Sequence, residues 1–112
     1  MTILEAARKL NAEVIVEGDA VANSIRHVVA SDLMSDVLLV DDEDILLLTS
    51  LASDQVLRTA HIIGAVGVIV VNGKSLPTSM VQVARDLGIT LIKSDKNKFD
   101  ACIAVHKALE SA

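Results

Sequence analysis

The sequence predicts an α/β fold: a three-layer sandwich whose mainly parallel sheet of about five strands is flanked by helices. Three observations carry this. Short runs of continuous Val, Ile and Leu, such as Ile45–Thr49 and Val66–Val71, have strand length and are apolar on both faces, as buried parallel strands are. Each such run is followed by a stretch with helical spacing of its apolar residues. Gly64 and Gly88 fall where those helices should end.

The elements follow in order. Thr2-Ile3-Leu4-Glu5 has the capping-box pattern, and a helix runs from there to about Leu10 with Ile3, Leu4, Ala7 and Leu10 on one face. Asn11 ends it. Glu13–Val16 alternates weakly and reads as a first strand, stopped by Gly18-Asp19. Ile25–Ala30 is a second strand. The stretch between the two is shorter than the dozen or more residues a parallel crossover takes, so the first strand is expected to be antiparallel to the second or not its neighbour. Four strand-helix units then succeed one another. Strand Ile25–Ala30 leads to a helix near Asp32–Val40, and Ile45–Thr49 to one near Ser53–Ile63. Strand Val66–Val71 leads to a helix near Thr78–Leu87, with Thr78 as its N-cap, and Ile89–Ile92 to one near Lys96–Glu110. Right-handed crossovers place the loops after the strands on one edge of the sheet.

Composition narrows the function classes. The 112 residues suit one domain, 1–112, and at 52% hydrophobic they fill a core. Only one aromatic residue, Phe99, is present, which argues against single-stranded nucleic-acid binding through stacking platforms. The net charge of −5 repels a phosphate backbone, and the only basic cluster is Lys93, Lys96 and Lys98; no nucleic-acid partner is expected. The single Cys102 forms no internal disulfide, fits a reducing compartment and is read as a core residue. The first residues carry Glu5, Arg8 and Lys9 without an apolar signal region, and no run approaches the ~20 residues of a membrane span. A soluble, cytoplasmic protein is expected. Its mean hydropathy of +0.52 is high for so small a domain, and a homodimer would cover the leftover apolar surface.

The candidate site is the carboxyl edge of the sheet, where Ser31, Asp32, Thr49, Ser50, Asn72, Gly73, Lys74 and Ser94 follow strands, with Asp95 beside them. Helix starts near Ser53, Thr78 and Asp95 favour anions there, and the amides of Asn72 to Lys74 would add donors. The chemistry suits a small ligand with hydroxyl and anionic groups, a nucleotide or sugar nucleotide. The same residue types also serve as caps and turns without any ligand. Gly73-Lys74-Ser75 resembles the end of a P-loop, but the upstream glycine should stand at Val68, so nucleotide hydrolysis through it is not expected. Asp41-Asp42-Glu43-Asp44 lacks calcium-loop spacing and reads as a solvated loop. His27, His61 and His106 lie on separate elements without metal spacing. No catalytic residue, metal or cofactor is assigned.

The run Ala30-Ser31-Asp32-Leu33-Met34-Ser35-Asp36-Val37, with Thr49, Gly67-Val68-Ile69, Asn72-Gly73, Pro77, Gly88-Ile89 and Phe99, resembles the DRTGG-domain family from Thr2 to about Leu109. Members of that family are similar to the amino-terminal domain of HPr kinase/phosphorylase and, more remotely, to that of Mur ligases. The family's Thr-Gly-Gly is replaced here by Asn72-Gly73-Lys74. The resemblance implies a small mixed-sheet accessory or regulatory module, found beside catalytic domains or with CBS domains, and no kinase chemistry, which belongs to a separate P-loop domain. The leading expectation is a non-enzymatic regulatory or scaffold domain that self-associates and senses a small anionic metabolite. The alternatives are a ligand-free interaction module for a partner enzyme and an enzyme acting on a phosphorylated small molecule.

Overall fold

Five strands form one sheet in the order β1-β5-β4-β3-β2. The computed structural model describes residues 1–111. In chain order the elements are α1 (Ile3–Lys9), β1 (Glu13–Val16), β2 (His27–Ala30), α2 (Met34–Val37), β3 (Ile45–Thr49), α3 (Asp54–Ile63), β4 (Gly67–Val70), α4 (Thr78–Leu87), β5 (Thr90–Lys93) and α5 (Lys98–Glu110). β2, β3, β4 and β5 are mutually parallel. β1 is antiparallel and pairs with β5, with Glu13 opposite Lys93. β1 is therefore not a neighbour of β2: the two strands are the opposite margins of the sheet.

The strands separate their side chains onto two apolar layers. Leu46, Leu48, Ile69, Val71 and Ile92 face α1 and α5, where Ile3, Ala101 and Val105 meet them. Leu47, Val68, Val70 and Leu91 face α2, α3 and α4, packing on Val37, Val56, Leu57 and Met80. All residues of β3 and β4 are buried, which is why their sequences lack the alternation of a half-solvated strand.

Helix ends follow local chemistry. The Glu5 amide donates to Thr2 Oγ1 at 3.3 Å and the Thr2 hydroxyl donates to Glu5 Oε1, so the expected cap forms. Ser53 Oγ accepts from the Gln55 amide at the start of α3. Gly64 and Gly88 close α3 and α4 in the left-handed conformation. Strand limits shift by one or two residues from expectation, β2 beginning at His27, β4 spanning Gly67–Val70 and β5 Thr90–Lys93, and three helix starts differ. Pro77, not Thr78, is the N-cap of α4, its carbonyl accepting from the Val81 amide. α5 begins at Lys98 rather than Lys96, because Asn97 Oδ1 caps the Asp100 amide. α2 shrinks to a single turn, because Asp32 is turned toward β3 and Leu33 remains extended.

The loop after β1 is clasped against β5. The Gly18 amide donates to Thr90 Oγ1 at 3.0 Å and the Asp19 amide to the Gly88 carbonyl at 2.8 Å. A Cβ on Gly18 would lie 2.6 Å from the Ile89 carbonyl carbon and the Thr90 nitrogen, both backbone atoms that cannot step aside. Gly18→Ala is expected to destabilise the fold by about 2–3 kcal/mol, the scale of an overpacked interior. Urea denaturation checks this; an unchanged midpoint would contradict the close approach.

Candidate functional site at the carboxyl edge

β2 and β3 end side by side, so Asp32 and Thr49-Ser50 are brought together by pairing of the strands alone. Asp32 is the hub. Its Oδ1 accepts from the Thr49 hydroxyl at 2.9 Å and from the Ser50 amide at 2.8 Å. Its Oδ2 accepts from the Ser50 hydroxyl at 2.6 Å and from Lys98 Nζ at 2.5 Å. The carboxylate thus gathers four donors, as many as its lone pairs take. Lys98 enters from the first turn of α5, on the other side of the sheet's edge.

Partial burial by itself pushes the Asp32 carboxyl up. The Lys98 ammonium, the hydroxyl and amide of Ser50 and the Thr49 hydroxyl outweigh it and hold the group well below the ordinary carboxylate range. The bridge is half open to water, with side-chain exposures of 40% for Lys98 and 36% for Asp32, so its net contribution is that of a screened pair plus hydrogen bonds.

The remaining expected residues divide into supports and surface. Thr49 is fully buried and also accepts from the Leu51 amide, so it has nothing to offer a ligand. Ser94 is buried and its Oγ accepts from the Lys96 amide. Ser31 Oγ accepts from the Leu33 amide, shaping the turn into α2. Asn72 and Gly73 both have positive φ, 69° and 59°. Their amides were expected to serve an anion. Instead the Asn72 amide donates to the Lys96 carbonyl at 2.7 Å and the Gly73 amide to the Ser94 carbonyl at 2.9 Å, tying the end of β4 to the loop after β5. Gly73 is also close-packed there, since a Cβ would stand 3.2 Å from Asp95 Oδ1. Ser50, Asn72, Gly73 and Lys74 remain at least partly open to solvent, as does Lys98, which Asp32 holds near Ser50. Lys98 was seen in the sequence only as a member of a basic cluster; its signal was its place one residue into the helix that follows the last strand.

The other motifs settle into local roles. The acidic loop is solvated, with Glu43 3.4 Å from Arg26 and Asp42 4.0 Å from His27. His106 pairs with Glu110 one turn on at 3.1 Å. Cys102 is half-buried against the α5 layer rather than fully interior. Among the described residues no group of three or more His, Cys, Asp or Glu is placed to hold a metal ion, and no helix is long and apolar enough to cross a membrane. Two surface hollows of about 310 and 270 Å³ lie away from the carboxyl edge, one between α1 and α5, the other between β2 and α5.

No protein-family model matches the chain, and no curated protein matches it in sequence. A solved structure does: the CBS and DRTGG domains of the regulatory region of Clostridium perfringens pyrophosphatase, complexed with the activator diadenosine tetraphosphate. The TM-score is 0.73 at 13% identity, over 96% of this chain and 46% of that one. The chain therefore shares its α/β fold with part of a regulatory region and spans about half of that structure's length.

The depressed carboxyl sets a pH dependence. The folded protein holds Asp32 ionised where the unfolded chain begins to take up a proton, so the stabilisation is fully present above about pH 4 and is lost as pH falls below it. Asp32→Asn is expected to cost about 1 kcal/mol at neutral pH, with the gap to the parent closing below pH 4. Thermal melts of both proteins from pH 7 to pH 2.5 check this; a constant gap would contradict it.

Proposed function

We propose that this chain is a DRTGG-type regulatory domain, non-enzymatic and self-associating, that binds a nucleotide or sugar nucleotide at the carboxyl edge of its sheet. The observation that carries the reading is the Asp32–Lys98 cluster. It fixes an ammonium with unused donors where β2 and β3 end, next to a half-open Ser50 hydroxyl, while Lys74 is exposed in the loop after β4. A phosphate would be met by Lys98 and Lys74. Asp32 is saturated and serves to position the lysine, so hydroxyl groups of the ligand fall to Ser50 and the exposed Asn72 side chain. The fold supports the reading, because the matched regulatory region is complexed with a nucleotide activator.

Catalysis has little to work with here. The strand leading to Gly73 occupies the space where a phosphate-binding loop would have to be. Regulation through a partner enzyme without any ligand is the second reading, favoured by the exposed Leu39 and Phe99.

Thermal-shift titration with ATP and with diadenosine tetraphosphate separates the two. A ligand at a hundred times its Kd adds about 2.7 kcal/mol, a rise of about ten degrees in a domain of this size. That rise is expected in the parent and is expected to vanish in Lys98→Ala. No response to nucleotides or sugar nucleotides would favour the interaction module. ATP turnover by the purified chain, abolished by Lys74→Ala, would overturn the non-enzymatic reading.

A further inference from the structure

β2 is the outer strand of the sheet beyond β3. The Ser31 amide donates to the Leu48 carbonyl and the His27 amide points to the Asp44 carbonyl. The odd-numbered residues of the strand therefore face β3, and the alternation of a parallel ladder turns the N–H and C=O groups of Val28 and Ala30 outward. The strand, His-Val-Val-Ala, carries none of the lysines, prolines or bulges that blunt an open edge. Five of the seven large apolar side chains left exposed among the described residues lie on the two helices beside it: Leu33, Leu38 and Leu39 on α2 and its flanks, Phe99 and Ile103 on α5. The hollow of about 270 Å³ between β2 and α5 adds Val28, Cys102, Val105 and Leu109 to this side of the molecule.

We propose that a second copy of this chain docks here, its β2 pairing antiparallel with the first across a two-fold axis at Val29, so that the two sheets become one. This rests on the self-association proposed above and names the surface that makes it. The occupant is argued from the strand's own complementarity. A two-fold at Val29 sets Val28 of each copy opposite Ala30 of the other and satisfies all four outward backbone groups on each strand. Val29 meets its mate, and His27 meets Ser31. Apolar groups meet at the centre and no like charges face each other, as an isologous interface requires.

Sedimentation equilibrium and directed cross-linking test this. The parent chain at micromolar concentration is expected to have twice the 11.8 kDa monomer mass. In a Cys102→Ser background, Val29→Cys is expected to form an intermolecular disulfide on mild oxidation. Residues facing each other at a non-hydrogen-bonded antiparallel position have Cα atoms roughly 4.5 Å apart, within disulfide reach. Val14→Cys on β1, at the opposite margin, is expected not to. Ala30→Pro, which removes one outward N–H, is expected to give a monomer with unchanged far-ultraviolet circular dichroism; should it fail to fold, the Val29→Cys result decides. A monomeric parent overturns self-association altogether. A dimeric parent that neither cross-links through Val29→Cys nor dissociates with Ala30→Pro overturns this interface and leaves self-association standing.

Discussion

One carboxylate organises the carboxyl edge of this sheet. Asp32 joins the end of β2, the end of β3 and the first turn of α5 through four hydrogen bonds, and no other side chain in the described structure links three elements there in this way. Its cost is modest because the group is only half removed from water and every acceptor position is filled. The consequences are local and specific. α2 is cut to one turn because the residue that would open it is turned toward β3. Lys98 is fixed with its remaining donors facing solvent. Thr49 becomes an interior support rather than a contact.

The second clasp, between the Asn72-Gly73 turn and the loop after β5, completes the edge without a side-chain charge. Left-handed backbone at two consecutive residues points both amides at the carbonyls of Ser94 and Lys96. Together the two clasps make a surface whose polar groups are largely satisfied within the protein. Under the binding proposed above, such a surface would act through what is open to solvent: lysine ammonium groups, a lone pair of the Ser50 oxygen and the Asn72 side chain. In the proposed reading that inventory meets a phosphate with hydroxyl neighbours.

Much of the fold was legible in the sequence. Continuous apolar strands, terminal glycines and helical spacing gave the order of elements, and α4 at Thr78–Leu87 and β3 at Ile45–Thr49 coincide with their expected limits. The place of β1 was left open between two alternatives, because crossover length limits direction but not which margin a strand joins. Helix starts moved where side chains compete for them: Asn97 over Asp95 at α5, Pro77 over Thr78 at α4. At the site, the strand ends were legible because topology brings them to one edge. Which of them are buried was not, since Thr49, Ser50 and Ser94 are similar residues whose exposure depends on the layer above them. Lys98 was hidden for the complementary reason: its partner is 66 positions away in sequence, and only the path of α5 across the edge unites them.

The most direct test of the account is where a nucleotide touches the folded chain. Backbone amide shifts recorded during titration with diadenosine tetraphosphate are predicted to move at Ser50, Asn72 to Lys74 and Lys98, with residues around Asn11, Gly64 and Gly88 at the opposite edge unaffected. Shifts confined to that opposite edge would contradict the account.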